Sequence, residues 1–479
     1  MKFNWIGKLF ILVTIVLFLP NTLLSQVSGT KETKPDPDDP NSILGKSPPS
    51  AYNWANKKSK EDKDADGIPD KMEAVPLNFG GLIVSLDPQK KDVIILVDYV
   101  GNDTANMPTT ESLAIVFASF GSAPVKGLKK DKGGVALHLI RNNVGFPVPS
   151  NTPVGTFVNN EYDWSDLDYV KQYTINTNNL GSVPRIYHYC LSCDNYAGSP
   201  SSGLSRNDTS TYAKFRTGGV DFICSLQGAQ SQTKYAGMTG GTIMHEFGHN
   251  LGLTHGGYDH VNYKPNYISI MNYHFQFNGI TVNGQQVYDY SRVLLKPIDE
   301  RNIKETAGLG PKATGLWTLF KYPINGQTVT FPIVGDLKKN IDWNQNGVID
   351  IKGYGLNLNY PYDEDGTWLV SELNWQNINF TGRGNIGQTN KANMPDLLSI
   401  MPVEKNGNIT MPSRNISTPN YEGRFTKVPE HLICRKLTEA DKEAIRLSNK
   451  NYTVEEILGP GVSLKTTSYG NLTLFELVN

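Results

Sequence analysis

The chain lacks the features that would mark it as a nucleic-acid-binding, a membrane-spanning or a mainly helical protein. Its 45 lysines and arginines are balanced by 46 aspartates and glutamates, so no net field favours nucleic acid or an anionic membrane. No apolar segment beyond the N-terminal region is long enough to cross a bilayer. Long helical periodicity is scarce, whereas 45 Gly, 28 Pro and 23 Tyr are typical of a loop-rich protein with much β-structure. A chain of 479 residues is too long for one compact core, so two or more domains are expected.

Cysteine is also scarce, and the four in the chain are Cys190, Cys193, Cys224 and Cys434. Cys190 and Cys193 form one C-x-x-C pair. Because no second pair accompanies it, a disulfide or plain buried thiols are favoured over a zinc half-site or a redox pair. No cysteine precedes residue 190, so an N-terminal pro-segment cannot block a metal site through a thiolate.

The N-terminus has the pattern of a secretory signal peptide, which we place at residues 1–25. Basic residues precede an apolar run, Leu9–Leu19, and Pro20 ends it. A membrane anchor is the alternative, but this apolar core is short for a span. We therefore predict a secreted protein without a transmembrane anchor after signal cleavage. Residues 26–60 are rich in Lys, Asp, Pro and Ser, and predict a disordered linker or pro-segment.

A calcium-binding loop is predicted at residues 62–73, which follow the pattern D-x-D-x-D-G-x5-E. Gly67 allows the sharp turn of such a loop, and bound Ca²⁺ relieves the repulsion between neighbouring carboxylates. The alternative is an acidic linker. The Asp-Gly-Ile-Pro-Asp core resembles thrombospondin type 3 repeats more than a helix-flanked EF-hand. The expected oxygen ligands are Asp62, Asp64, Asp66, the Ile68 carbonyl, Asp70 and Glu73.

Apolar segments after residue 90 predict an α/β region. Asp92–Tyr99 has the composition of a buried strand, and Thr110–Phe120 has helical apolar spacing. A helix over roughly Thr242–Leu251, capped by Thr239 or Thr242, is expected after the last strand. The further predicted strands are Val135–Ile140, Arg185–Leu191 and Asp221–Leu226.

Residues 245–255 read H-E-F-G-H-N-L-G-L-T-H and predict a catalytic zinc site. On a helix, His245 and His249 project from one face. Gly252 lets the chain leave helical geometry, because glycine adopts a positive φ without steric penalty, and the turn can return His255 as a third ligand. Three protein ligands leave one coordination position for water, which is the mark of a catalytic rather than a structural zinc site. Glu246 can serve as general base toward that water.

A second motif follows at Ser269-Ile-Met-Asn-Tyr273, which has the form S-x-M-x-Y. A methionine in a tight turn below the metal can form an apolar base for the histidines, and its thioether competes only weakly for zinc. Alone, Met271 would be an ordinary core residue. Its place shortly after His255 favours the functional interpretation.

A second calcium loop is suggested by Asp342, Asn344, Asn346 and Asp350. The loop departs from the pattern at its last position, where Gly353 replaces the acid. Asp363, Asp365 and Glu372 form part of another such loop, and the two halves can share ligands or form a degenerate pair.

The two motifs together resemble those of metzincin zinc endopeptidases over roughly residues 90–275, in particular secreted bacterial members with thrombospondin-type calcium repeats. The resemblance implies an α/β (α+β) catalytic domain with a twisted mixed sheet and an active-site helix, flanked by smaller calcium-loop-bearing regions. Gly203-Leu204-Ser205 would belong to the edge strand that pairs with substrate. Metzincin subfamilies differ in the residue after the third histidine. Gly256 at that position matches none of the astacin, serralysin, matrixin and adamalysin subfamilies, so the subfamily stays open. The implied roles are zinc ligation by His245, His249 and His255, general base catalysis by Glu246, a Met-turn at Met271 and a position near the metal for Tyr273.

The expected function is therefore that of a secreted, monomeric, zinc-dependent endopeptidase with structural Ca²⁺, acting on proteins or peptides and not on nucleic acid. One alternative is a catalytically inactive, calcium-stabilised adhesin or binding protein, against which the intact Glu246 argues. The other is a zinc hydrolase of a non-peptide amide or a glycan. Beyond residue 60, the expected organisation is a calcium repeat (61–90), a zinc peptidase domain (91–305) and a C-terminal region with degenerate calcium loops (306–479).

Overall fold

A mixed sheet of seven strands lies at the centre of the protein in this computed structural model. The predicted signal peptide, and the predicted linker apart from residue 60, lie outside the residues that the structure describes. No helix among the described residues is long and apolar enough to cross a membrane. The structure describes residues 60–128, 133–184, 186–207, 219–226, 236–257, 259, 261–324, 327–333, 335–360, 368–381, 425–427, 434–435 and 452–478.

Helices are few and strands are many in the described part of the chain. The helices are α1 (Asp70–Glu73), α2 (Thr110–Gly121), α3 (Ser165–Thr177), α4 (Ala236–Asn250), α5 (Asn374–Asn377) and α6 (Val454–Leu458), with a 3₁₀ turn at Pro311–Ala313. The strands are β1 (Leu77–Phe79), β2 (Leu82–Val84), β3 (Asp92–Tyr99), β4 (Ala136–Asn142), β5 (Thr156–Val158), β6 (Glu161–Asp163), β7 (Tyr187–Cys193), β8 (Gly203–Asn207), β9 (Gly219–Ser225), β10 (Ile280–Val282), β11 (Gln285–Val287), β12 (Ile298–Asp299), β13 (Thr318–Ile324), β14 (Gln327–Ile333), β15 (Trp368–Leu369), β16 (Phe425–Lys427), β17 (Ser463–Tyr469) and β18 (Leu472–Val478).

The central sheet has the strand order β17-β18-β4-β3-β7-β9-β8. Its inner strands β4, β3, β7 and β9 are parallel, whereas β8 at one edge and the β17–β18 hairpin at the other run antiparallel to their neighbours. Every residue of β3 is buried, as expected of a parallel strand covered on both faces. The mixed α/β class predicted from the sequence is confirmed at this level.

Two apolar cores cover the two faces of this sheet, and the residues of β3 alternate between them. Val93, Ile95 and Val97 face the core formed with α2 and α4. Ile94 and Leu96 face the core on the side of α3. This alternation follows from the two-residue period of a strand, and it fixes α4 against one face of the sheet.

The predicted elements of the α/β region are present. Asp92–Tyr99 is a strand over the predicted residues, and the helix predicted at Thr110–Phe120 is α2, with the Thr109 hydroxyl accepting a hydrogen bond from the Ser112 amide. The other three predicted strands correspond to β4, β7 and β9, with small shifts at their ends. Arg185, the predicted start of β7, lies outside the described residues.

The predicted start of the zinc helix is wrong. α4 extends back to Ala236, so Thr239 and Thr242 lie inside it and cap nothing. Their buried hydroxyl oxygens have no hydrogen-bond partner. Tertiary packing explains the longer helix, because a Cβ on Gly240 would lie 2.5 Å from the Ser112 carbonyl oxygen of α2. The glycines that lower helix propensity here permit close helix–helix packing.

The C-terminal region is joined to the rest of the described chain in two ways. A third apolar core contains Phe275, Phe320 and Trp343, and so mixes residues from both sides of the predicted boundary at 305/306. The hairpin β17–β18 pairs with β4 and extends the central sheet. All described residues belong to one compact unit, Lys34–Asn479.

Candidate metal centre

The end of α4 brings the third histidine of the motif back toward the first two. The Gly252 amide donates to the His249 carbonyl (2.9 Å) and the Leu253 amide to the Gly248 carbonyl (2.8 Å), which is the pattern of a Schellman motif. Gly252 has φ +83°, as the sequence predicts. The chain reverses here, so that His255 lies against the face of α4 that carries the other two imidazoles.

The three imidazoles converge through their Nε2 atoms. The Nε2 atom of His255 lies 3.0 Å from that of His245 and 2.9 Å from that of His249. The Nδ1 atoms of His245 and His249 donate to the carbonyls of Ile270 and Leu253, both at 2.9 Å. These hydrogen bonds fix the tautomer and leave both Nε2 lone pairs directed toward the cluster.

This arrangement fits a tetrahedral zinc ion. Zinc–nitrogen bonds of ~2.0–2.1 Å in tetrahedral geometry place two ligand nitrogens roughly 3.3 Å apart. The observed spacings are a few tenths of an ångström shorter, and all three rings are buried. Burial lowers the pKa of His245 well below its usual value, so the neutral, metal-binding form prevails.

The Glu246 side chain projects from α4 toward the edge strand β8. Its Oε1 atom is buried without a hydrogen-bond partner, whereas Oε2 lies 3.4 Å from the hydroxyl of Ser205, which also donates to the Glu246 carbonyl at 2.5 Å. Burial raises the pKa of Glu246 to about 8, against opposing hydrogen bonds from Cys434 and Ser205. The predicted segment Gly203-Leu204-Ser205 does form an edge strand.

Met271 lies in a tight turn directly under α4. A Cβ on Gly248 would lie 2.3 Å from Met271 Sδ. A glycine at this position of the helix therefore leaves room for the methionine sulfur. The Ser269 hydroxyl accepts from the Met271 amide at 3.2 Å, and the Asn272 side chain donates to the Lys264 and Tyr267 carbonyls at 2.8 Å. Two polar residues of the S-x-M-x-Y segment thus hold the turn.

Tyr273 lies against the third imidazole. Its ring centroid is 4.3 Å from that of His255 and 6.1 Å from that of His245. The structure therefore brings together His245, Glu246, His249, His255, Met271 and Tyr273, all predicted from the sequence.

Cys434 is a member of this cluster that sequence reasoning missed. Its Sγ lies 3.7 Å from His249 Nε2 and 3.8 Å from His255 Nε2, and the residue is buried. Together with the three histidines it forms a group able to hold one metal ion. No local spacing signals this role, because Cys434 lies far along the chain from the helix and outside any motif.

Steric crowding explains why the residue after the third histidine, Gly256, is a glycine. A Cβ there would lie 2.5 Å from the Val261 carbonyl oxygen and 2.6 Å from Asp259 Oδ1. The same loop is held by the buried amine of Lys264, which donates to the Gly256 carbonyl (2.8 Å) and the Val370 carbonyl (3.0 Å). A larger residue at position 256 would displace this loop.

Five carboxylates gather at the predicted first calcium loop. The two groups able to hold a metal share Asp66, and their members are Asp62, Asp64, Asp66, Glu73 and Asp92. Both carboxylate oxygens of Asp64 and of Glu73 are buried without a hydrogen-bond partner. Burial, together with the negative charges of the neighbouring Asp66 and Asp64, raises the pKa of Glu73 to about 10. This is the repulsion that a divalent cation relieves.

The predicted ligand Asp70 lies outside the cluster, whereas Asp92 belongs to it. Asp70 is a member of neither group, and its carboxylate pairs with Lys63 instead. The Ile68 carbonyl stays a predicted ligand. Asp92, which the sequence assigned only to a strand, joins the cluster, and its backbone amide donates to Asp66 Oδ2 at 2.7 Å. The first residue of β3 thus connects the loop to the central sheet.

The second predicted calcium loop is held by hydrogen bonds between its own residues. Asp350 Oδ2 accepts from the side-chain amides of Asn344 (2.8 Å) and Asn346 (3.1 Å), and Asp342 Oδ2 accepts from the backbone amide of Gly347 at 2.8 Å. Glu305, which sequence reasoning missed, accepts from the Trp343 and Asp350 amides. Asp363 and Asp365 of the adjoining half-loop lie outside the described residues, whereas the buried Glu372 accepts from the Asn377 amide at 2.9 Å.

The four cysteines are unbridged, buried thiols, so the buried-thiol interpretation holds and the disulfide interpretation is wrong. Comparison of the chain with protein-family models, with curated proteins and with solved structures gives no match.

Proposed function

We propose that this protein is a secreted, zinc-dependent endopeptidase of metzincin type. The observation that carries the proposal is the convergence of three Nε2 atoms beside a buried glutamate whose Oε1 has no partner. The Met-turn beneath the helix and the tyrosine ring against His255 support the metzincin assignment. The apolar N-terminal run supports export.

The residues of the site have separable roles in peptide hydrolysis. A bound zinc ion supplies Lewis-acid polarisation of the scissile carbonyl and of water. Glu246 accepts a proton from the attacking water and delivers it to the leaving nitrogen. The Ser205 hydroxyl and the absence of a side chain at Gly203 keep the Glu246 carboxylate in position.

The position of β8 suggests how a peptide substrate binds. β8 is the edge strand of the central sheet, and Ser205 on it contacts Glu246. An extended peptide can add to such an edge through main-chain hydrogen bonds, which would align its carbonyl with the metal centre. This binding mode favours a polypeptide over a glycan or a small amide as substrate.

The first test replaces the proposed general base. We expect Glu246→Gln to lower the rate of casein cleavage by about 10²–10⁴-fold, the usual contribution of a positioned general base, while bound zinc stays at one per chain. The exposed Glu455→Gln serves as matched control and should cleave at the native rate. Native cleavage by Glu246→Gln would refute the assignment.

We also infer a structural Ca²⁺ ion at the cluster of Asp62, Asp64, Asp66, Glu73 and Asp92. The support is the convergence of buried carboxylates, four oxygens of which have no hydrogen-bond partner. Oxygen-only ligands of this kind suit Ca²⁺, which takes six to eight of them. Because Asp92 begins β3, the ion would join the N-terminal loop to the sheet.

Calcium removal tests this assignment. Adding Ca²⁺ to EGTA-treated, zinc-loaded protein should raise the melting temperature, since a hundredfold excess over Kd adds about 2.7 kcal/mol to the free energy of unfolding. Asp64→Asn should reduce the gain, whereas the exposed Asp103→Asn should not. An equal gain in both variants would place the ion elsewhere.

A further inference from the structure

The dipeptide Cys434-Arg435 lies in the proposed active site. A zinc–sulfur bond of ~2.3 Å and a zinc–nitrogen bond of ~2.0–2.1 Å in tetrahedral geometry place sulfur and nitrogen roughly 3.6 Å apart. The measured distances from Cys434 Sγ to the Nε2 atoms of His249 and His255 are 3.7 and 3.8 Å. Cys434 Sγ therefore stands where the fourth ligand of the metal belongs.

We propose that Cys434 is the fourth zinc ligand and that the Cys434-Arg435 segment holds the protein in a self-inhibited state. This inference rests on the proposed function. The thiol binds as the thiolate and releases its proton to solvent, so the position needed by water is filled. The same sulfur contacts Glu246, so the proposed general base is covered as well.

The main chain of the segment also binds the residues at the start of the proposed substrate edge. The Ser201 hydroxyl donates to the Cys434 carbonyl at 2.8 Å, and the Ser202 amide donates to the Arg435 carbonyl at 3.1 Å. Ser202 directly precedes β8. A peptide adding to that edge would compete for this backbone donor, so segment and substrate exclude each other.

The Arg435 side chain fixes the segment at a second point. Its Nη1 donates to the Tyr273 carbonyl at 3.2 Å, and its guanidinium lies 5.0 Å from the centroid of the Phe277 ring. Cys434 thus approaches the metal centre while Arg435 binds beyond the Met-turn. The segment contacts the two residues before the edge strand, two of the histidines and the Tyr273 carbonyl together, which is more than a buried structural thiol requires.

The chain on both sides of the segment is anchored to the same body. β16 pairs with β6 before it, and the β17–β18 hairpin belongs to the central sheet after it. The inhibitory segment is therefore supplied within the molecule at high effective concentration. Opening the site requires local displacement of Cys434 and leaves the sheet intact.

X-ray absorption at the zinc edge tests the ligand assignment without measuring activity. The zinc-loaded full-length protein should show one sulfur at ~2.3 Å together with nitrogen ligands. Cys434→Ala should lose that sulfur, and the matched control Cys193→Ala, a buried thiol on the opposite face of the sheet, should keep it. A spectrum of the unaltered protein with no sulfur overturns the inference, even where a variant folds poorly.

Casein cleavage tests the inhibitory role. We expect Cys434→Ala to cleave casein at least about tenfold faster than both the unaltered protein and Cys193→Ala. The observed rate is proportional to the fraction of molecules whose site is open, and the substitution raises that fraction. Adding Glu246→Gln to Cys434→Ala should remove the gain. Sulfur ligation without any gain in Cys434→Ala overturns self-inhibition. Cleavage that depends on Glu246 but shows no sulfur ligation leaves the proposed function standing and removes this inference alone.

Discussion

At the scale of single residues, the position of the Glu246 carboxylate depends on a residue without a side chain. A Cβ on Gly203 would lie 2.4 Å from Glu246 Oε1 and 2.6 Å from its Cγ. Because both Cγ and the carboxylate are too close, rotation of the terminal group alone does not relieve the clash. Gly203 is therefore a positioning residue, and its φ is not in the left-handed region.

Gly203→Ala should accordingly reduce activity without loss of metal. We expect casein cleavage in the Cys434→Ala background to fall by about 10²-fold, because a displaced general base loses much of its contribution. Zinc content should be unchanged, since the clash involves no imidazole. Gly181→Ala is the control, because a Cβ there meets nothing within 4 Å. Equal activity of the two variants would show that the carboxylate tolerates the new methyl group.

Most residues of the metal centre follow from the sequence, but Cys434 does not. Helical spacing determines that His245 and His249 share a face, and Gly252 with φ +83° explains the return of His255. These are local rules acting over a few residues. Cys434 reaches the same cluster through tertiary structure alone, and Asp92 and Glu305 join their carboxylate and loop sites in the same way.

At the scale of elements, predictions succeed where the local pattern and the packing agree. Strand β3 contains the apolar run Val93–Val97, and both faces of the strand are covered. The start of α4 differs because its glycines suggest a loop. Gly237, Gly240 and Gly241 lie in close contact with Tyr288, with α2 and with the Gln276 carbonyl, respectively. Packing there overrides helix propensity, and the sequence alone does not reveal the partners.

The turn that contains Met271 is an element that the local sequence pattern predicts correctly. Its spacing from His255 placed Met271 below the histidines, and Gly248 in α4 provides the space for its sulfur. What the sequence does not indicate is the support behind the turn. The buried Asn374 side chain on α5 accepts hydrogen bonds from Tyr267 (3.0 Å) and Ser269 (2.6 Å). The turn is thus held by a residue more than a hundred positions away.

At the scale of the whole molecule, the C-terminal hairpin makes the proposed zinc domain discontinuous in sequence. Leu472, Leu474 and Phe475 of β18 are buried in the two apolar cores that cover the central sheet, and β18 lies between β17 and β4. A local signal was present, since Gly470-Asn471 is a two-residue hairpin loop between alternating segments. Its pairing partner β4 lies more than 300 residues earlier, and such a pairing cannot be inferred from local patterns.

Because of this pairing, a core mutation in the hairpin should destabilise the metal centre itself. Leu474 and Thr467 face each other across β17–β18, but Leu474 is buried and Thr467 is exposed. Leu474→Ala should lower the free energy of unfolding by about 2–5 kcal/mol, the usual cost of removing a buried leucine side chain. Thr467→Ala should change it by less than roughly 0.5 kcal/mol. Zinc release during urea unfolding, followed with a chelating dye, measures this directly. If the hairpin belonged to a separate domain, the two variants would release zinc at the same urea concentration, whereas one cooperative body requires earlier release from Leu474→Ala.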